Sequence, residues 1–69
     1  MKLTEKLKIA MIKQNVTQVV LAKKTGQTQG NLANKLLRDN FKLSEYEKLV
    51  SALGCKLEIN IILPNGEKI

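Results

Sequence analysis

A glycine that separates two potential helix starts constrains this chain more than any other feature. Gly26 is followed two residues later by Thr28, and Thr17 stands nine residues before it. A threonine hydroxyl can accept a hydrogen bond from a free backbone N–H at a helix start, and glycine ends helices because it adopts a left-handed conformation without a steric penalty. The pattern therefore predicts two short helices, at about 18–25 and 29–38, joined by a tight turn.

Two further helices are predicted on either side of this pair. The first covers about residues 4–14, and its inward stripe consists of Leu3, Leu7, Ala10 and Met11. The other is opened by Ser44 to Glu47, which fits the S-x-x-E capping box, and it ends before Gly54. Its inward stripe consists of Tyr46, Leu49, Val50 and Leu53.

The core is expected to form where the inward faces of these helices meet. Leu32 and Leu36 lie one turn apart and form the predicted buried edge of the third helix, which Leu37 is expected to extend. In the following connection, Phe41 and Leu43 are predicted to fill the core.

The C-terminal segment changes its period from helical to alternating. Apolar and mostly polar residues alternate over 56–63, which predicts a β-strand followed by a turn at 64–66. An apolar strand edge is normally covered or paired, so we expect the strand to pair with a second copy in a homodimer. The interface would consist of Leu57, Ile59, Ile61 and Leu63. The alternative is a small hairpin that folds over the first helix and covers Ile9 and Ile12. The predicted organisation is thus a helical domain at 1–55 and a dimerisation extension at 56–69.

Charge and composition restrict the classes of function. The chain has 69 residues and a formal net charge of +6, and residues 1–42 carry nine basic and two acidic side chains. This asymmetry favours a polyanion-binding surface, although charge also serves simple solubility. One cysteine and no histidine leave no internal disulfide and no ligand set for zinc. No paired carboxylates or nucleophile–base pair are evident, so we expect neither an enzyme nor a cofactor.

The sequence also predicts where the protein works. Charged residues interrupt the apolar positions near the start of the chain, so no signal peptide is expected. No run approaches the roughly 20 apolar residues of a membrane span. The expected location is the cytoplasm.

The predicted third helix is unusually rich in carboxamides. Gln29, Asn31 and Asn34 fall in its first two turns. Two helices joined by a short glycine turn form a helix-turn-helix unit, whose second helix places its N-terminal residues at base edges in the DNA major groove. An amide suits this task because it offers a donor and an acceptor that match adenine N6 and N7. The alternative is that these amides form only a solvated polar face.

The segment from Thr17 to Asn40 resembles the helix-turn-helix of the lambda repressor and Cro family, also called the xenobiotic-response-element type. The resemblance rests on Thr17-Gln18, Leu21-Ala22, Gly26, Thr28, Leu32 and Leu36, and it extends over about residues 3–60. It implies a mostly α fold, a lambda-repressor-like bundle of four or five helices, here with the C-terminal strand added. At position 27, where this family usually has an aliphatic residue, the chain has Gln27.

The resemblance also implies a function and a set of contacts. The protein would be a dimeric transcriptional regulator, most simply a repressor, that reads a palindromic operator in double-stranded DNA with residues 28–38. Gln29, Gly30, Asn31 and Asn34 would face base edges. The DNA backbone would be contacted by Thr17, Gln18, Thr28, Lys35, Arg38, Asn40 and Lys42. The alternative is a protein-interaction module with the same helical fold, such as an antitoxin or an anti-repressor.

Overall fold

The computed structural model of the protein describes residues 2–69, and these form a mostly helical structure compatible with a small helical bundle. It contains four helices, α1 (Leu3–Gln14), α2 (Gln18–Lys24), α3 (Gln29–Arg38) and α4 (Leu43–Ala52). Helix α2 packs on both α3 and α4. Within the described residues, no helix has the length and apolarity needed to cross a bilayer.

Threonine hydroxyls cap the two central helices, as predicted. The Val20 N–H donates to Thr17 Oγ1 over 3.3 Å at the start of α2. The Asn31 N–H donates to Thr28 Oγ1 over 3.1 Å at the start of α3. Each bond satisfies a backbone donor that has no partner within the helix. The sequence therefore places both helix starts correctly.

The turn between α2 and α3 depends on the conformation of Gly26. Its φ of +68° is left-handed, and this allows two closing hydrogen bonds. The Gly26 N–H donates to the Lys23 carbonyl over 3.2 Å, and the Gln27 N–H donates to the Ala22 carbonyl over 3.0 Å. This pair of bonds is the Schellman arrangement, which satisfies the last carbonyls of a helix. The predicted turn is confirmed, with α2 ending at Lys24, one residue earlier than expected.

The centre of the core is built from one leucine of each helix. These four side chains are essentially inaccessible to solvent: Leu7, Leu21, Leu32 and Leu49. Around them lie the other buried apolar residues, Met11, Ala22, Leu36, Tyr46, Val50 and Leu53. The predicted buried edge of α3, Leu32 and Leu36, and the predicted inward stripe of α4 thus meet in the core. Phe41 packs against this cluster, and its ring lies edge-on to Tyr46 with 5.3 Å between the centroids.

Polar contacts fasten the first turn of α1 to the ends of other helices. The buried Thr4 donates its backbone N–H to Asp39 Oδ1 over 2.7 Å and its hydroxyl to the Leu36 carbonyl over 2.9 Å. Tyr46 donates its hydroxyl to the Leu3 carbonyl, also over 2.9 Å. Asp39 thereby caps α1 from a distant part of the chain, while Thr4 satisfies a carbonyl near the end of α3.

Three leucines that were predicted to face the core are exposed. Leu3, from the predicted inward stripe of α1, is 42% exposed at the first position of that helix. Leu37 is 84% exposed because it lies about 100° around α3 from the buried Leu36. Leu43 is 60% exposed because α4 begins at this residue, with Lys42 in the N-cap position. Ser44 consequently lies inside the first turn of α4, and the predicted capping box is wrong.

The predicted C-terminal strand is also not formed. Residues 61 and 69 exchange two backbone hydrogen bonds of 2.8 and 2.9 Å, and the Leu63 N–H donates to the Glu67 carbonyl over 2.7 Å. These bonds frame only an isolated bridge between Ile62 and Lys68. The segment is a minimal hairpin, in which residues 61–63 lie opposite residues 67–69.

This hairpin does not cover the outer side of α1, where Ile12 remains 78% exposed and Ile9 is also exposed. The described chain has a radius of gyration of 13.3 Å and extents of 43 × 23 × 19 Å. A compact domain of this length would have a radius of gyration of about 11 Å. The chain is therefore elongated rather than compact.

The contact between Asp39 and Thr4 leads to a prediction about pH. Hydrogen bonds from Thr4 hold the pKa of the Asp39 carboxyl below its ordinary value of 3.8 in the folded protein. Its stabilising effect is therefore present above about pH 4 and lost as the pH falls through the lowered pKa. We expect Asp39→Asn to lower the thermal midpoint at pH 7, by an amount that shrinks towards pH 2.5.

Circular dichroism melting curves of both proteins between pH 2.5 and 7 measure this effect. Glu67→Gln is the control, because it removes an exposed carboxylate in the C-terminal hairpin. If Asp39→Asn lowers the thermal midpoint by the same amount at every pH, the prediction is contradicted.

Candidate nucleic-acid interface

The exposed face of α3 carries the amides that the sequence analysis singled out. Leu32 and Leu36 turn this helix towards the core, so Asn31, Asn34 and Arg38 lie on the opposite side. Their spacing of three and four residues places them in one stripe along the helix. All three side chains are exposed, and no hydrogen bond to another residue within the described chain engages them.

Gln29 and Gly30 form the exposed first turn of α3. Apart from sequence neighbours and the backbone of its own helix, no described atom lies within 4 Å of the position that a Cβ on residue 30 would occupy. Packing within the chain therefore gives no reason for glycine here, although glycine costs about 1 kcal/mol relative to alanine inside a helix. The predicted base-contact residues are thus exposed together over the first turns of one helix.

The predicted DNA-backbone residues are distributed around this face. Thr17 and Thr28 occupy the N-cap positions of α2 and α3, and Gln18 begins α2. Each threonine oxygen accepts a capping bond, which leaves its hydroxyl hydrogen free to donate to a phosphate oxygen. Arg38 lies in the last turn of α3, and the exposed Asn40 and Lys42 follow in the connection to α4.

Lys35 differs from the other predicted backbone contacts because it is engaged with α4. Its Nζ lies 2.7 Å from Glu45 Oε2, and both side chains are about one-third exposed. This hydrogen bond holds the pKa of the Glu45 carboxyl below its usual value. Lys35 therefore helps to fix α3 against α4, and its charge is partly neutralised beside the stripe of Asn31, Asn34 and Arg38.

The surroundings of the amide stripe are strongly basic. Between Glu5 and Asp39 the chain has seven Lys/Arg residues and no acidic residue. Helices α2 and α3 thus carry only positive charge, and Lys23 and Lys24 at the end of α2 are exposed. Such a surface attracts a polyanion.

The side chain of Gln27 stabilises the turn between α2 and α3. Its Nε2 donates to Thr25 Oγ1 over 2.8 Å, and the buried Thr25 hydroxyl donates to the Leu21 carbonyl over 2.9 Å. The side chain of Gln27 therefore packs back onto the turn, where the resemblance would place an aliphatic group. Its Oε1 is buried and has no hydrogen-bond partner among residues 2–69.

The exposed face of α3 also has an apolar part, which was not predicted from the sequence. Ala33 and Leu37 lie one turn apart beside the amide stripe, and both are exposed. The consecutive leucines at 36 and 37 concealed this, because either one fits an inward helical position. Applying the 100° rotation per residue separates them once Leu32 is placed in the core.

The predicted dimer-interface residues divide into two groups. Leu57 and Leu63 are half-buried, and Leu57 packs against the core. Ile59 and Ile61 are exposed on the hairpin. Ile69 is hydrogen-bonded directly opposite Ile61, so its side chain lies on the same face and extends the apolar surface.

No group of three or more histidine, cysteine, aspartate or glutamate side chains within residues 2–69 could hold a metal ion. Comparison of the chain with known protein families, curated proteins and solved structures found no match. Inferences about function therefore depend on the exposed face of α3, the charge around it and the hairpin.

The open space at residue 30 leads to a test by substitution. We expect Gly30→Ala to raise the free energy of unfolding by about 1 kcal/mol, because alanine has the higher helix propensity and nothing in the chain obstructs its methyl group. Gly26→Ala is the contrasting variant. This variant should lower the free energy of unfolding by about 1–2 kcal/mol, because residue 26 has a positive φ that alanine adopts only with strain. Urea unfolding followed by circular dichroism measures both, and a destabilised Gly30→Ala would refute the expectation.

Proposed function

We propose that this protein is a sequence-specific double-stranded DNA-binding regulator of transcription, most simply a repressor, that reads the major groove with α3. The observation that carries this proposal is the exposed stripe of Asn31, Asn34 and Arg38 on the second of two helices joined by a four-residue turn. In a helix-turn-helix unit, the second helix is the one that lies in the groove.

The chemistry of the stripe matches base edges. An asparagine side chain can donate its amide N–H to adenine N7 and accept with its amide oxygen from the adenine N6 amino group in one plane, so Asn31 and Asn34 suit A·T pairs. Gln29 at the first turn has the same capability. Gly30 supports this proposal because it allows the helix backbone to approach the groove closely, which would explain a glycine that packing within the chain does not require.

The charge around the stripe matches the DNA backbone. Phosphate neutralisation supplies much of the affinity of DNA-binding proteins and makes it depend steeply on salt. Arg38 and Lys42 lie at and beyond the far end of α3, where a groove would give way to backbone. The hydroxyls of Thr17 and Thr28 and the amides of Gln18 and Asn40 are suited to position the duplex by further phosphate contacts.

A homodimer completes the proposal. The hairpin presents an apolar face that includes Ile59, Ile61 and Ile69. Because residues 61 and 69 pair with each other, Ile62 directs its backbone groups to the outer edge of the hairpin. A second copy could pair along this free edge, and two α3 helices would then read half-sites about 34 Å apart in a palindromic operator.

The first test separates base contacts from backbone contacts. Asn31→Ala and Asn34→Ala should each weaken the binding free energy by about 1–3 kcal/mol on the best site selected from random duplex DNA. Each change should also relax the preference of the protein at the base pairs that the asparagine contacts. Arg38→Ala and Lys42→Ala should weaken binding to all sequences similarly and reduce the salt slope by about one unit. Fluorescence anisotropy with selected and scrambled duplexes at several salt concentrations measures both effects.

All four residues are exposed, so folding should survive each change. Unchanged affinity and discrimination in both asparagine variants would show that the amides form only a solvated face.

The second test concerns the edge of the hairpin. Ile62→Pro should convert the dimer into a monomer, because proline removes an N–H that points to the outer edge and spares the pairing of residues 61 and 69. Lys68→Pro is the matched control, because residue 68 directs its N–H to the opposite edge. Light scattering at tens of micromolar protein reports the mass, and a monomeric wild type would reject the dimer.

A protein-interaction module is the second candidate function. A groove of about 370 Å³ lies between the first turn of α1, the start of α4 and the base of the hairpin. Its lining includes Phe41, the exposed Leu43 and Ile59. An apolar groove of this kind suits a partner such as the toxin of an antitoxin or the target of an anti-repressor. The interaction module becomes the better-supported function if both asparagine variants bind DNA as the wild type does, or if the wild-type protein does not bind DNA.

A further inference from the structure

Two exposed apolar side chains adjoin the amide stripe of α3. Leu37 is 84% exposed, and Ala33, one turn before it, is exposed as well. Asn34 lies next to Ala33 in the sequence and three residues before Leu37, so it borders both of them on the helix surface. The same face of α3 therefore presents an amide row and an apolar row side by side.

Leu37 has no role in the core that would explain it. Leu32 and Leu36 supply the buried edge of α3, and Leu37 points away from that edge. Side chains in a helix tilt towards the N-terminus, so Leu37 covers the surface over the preceding turn, beside Ala33 and Asn34. Its methyl groups thus extend the part of α3 that would lie in the groove.

The pairing of an amide with an apolar group matches one feature of DNA. In the major groove an A·T pair presents adenine N6 and N7 beside the C5-methyl group of thymine. Asparagine is suited to the adenine atoms, and alanine and other apolar groups are suited to the thymine methyl. A G·C pair offers no methyl group, and its acceptors are suited to arginine or lysine instead.

We infer that Ala33 and Leu37 contact thymine methyl groups and that α3 therefore selects A·T pairs at the centre of its site. This inference rests on the proposed DNA-binding function and specifies the sequence class that the same face reads. The basic surroundings of α2 and α3, with no acidic side chain in either helix, complement the phosphates on both sides of such a groove.

Replacing thymine by deoxyuridine tests the inference, because it deletes the C5-methyl group and keeps the Watson–Crick pairing. The probe is the best duplex selected from a random pool, prepared with thymine and with deoxyuridine at the central A·T positions. For the wild-type protein we expect the deoxyuridine duplex to bind about fourfold more weakly for each buried methyl that is lost. The selected duplex should itself contain A·T pairs at these positions.

Leu37→Ala links the methyl effect to a named side chain. The Leu37→Ala protein should bind the thymine duplex more weakly than the wild type does. Replacing thymine by deoxyuridine should then cost this variant little further affinity, because in a double-mutant cycle two groups in contact lose their interaction when either one is removed. Ile12→Ala is the matched control, because Ile12 is 78% exposed on α1 and belongs to no proposed DNA contact. It should bind both duplexes as the wild type does, and both variants should retain the wild-type circular dichroism spectrum.

The outcomes distinguish this inference from the function on which it rests. Sequence-specific binding without a deoxyuridine penalty would overturn the thymine contact and leave the proposed function standing. An equal penalty in wild type and Leu37→Ala would overturn the role of Leu37. A pool that yields no preferred sequence would overturn the proposed function as well.

Discussion

The fold depends on burying one leucine from each of four helices at a single point. A chain of 69 residues with one cysteine has no internal disulfide to stabilise it, so packing of this core must supply most of the favourable free energy. Because Leu32 is the contribution of α3, burying it determines the rotation of that helix about its own axis. The core thereby decides which residues face solvent, and the stripe from Asn31 to Arg38 is exposed as a direct consequence.

Polar contacts at the edge of the core determine how α3 is held at both of its ends. At its start, Thr28 caps the helix, and the Gly26 turn with the Gln27–Thr25 hydrogen bond connects it to α2. Near its end, Thr4 satisfies the Leu36 carbonyl and binds Asp39. A helix restrained in this way can present side chains in a fixed geometry, which recognition of base edges requires.

The hairpin follows a different principle from the helices. Its backbone is satisfied by only a few bonds between residues 61–63 and 67–69, and its isoleucines stay exposed. An isolated two-stranded hairpin is marginally stable in water, and an apolar face on it favours association. Pairing through the Ile62 edge would extend the sheet and cover part of this face. The proposed dimer would thus cover apolar side chains that the core of the chain leaves exposed.

The sequence by itself determined the features that depend on neighbouring residues. The caps at Thr17 and Thr28 and the Gly26 turn are local, so α2, α3 and the turn between them could be predicted closely, as could the basic character around them. Tertiary structure decided the rest. Leu36 and Leu37 are equally apolar, and only the position of the core makes one buried and the other exposed. The alternation at 56–63 indicates an extended backbone, but a strand needs a partner of matching length, and that partner is a property of the fold or of a second chain.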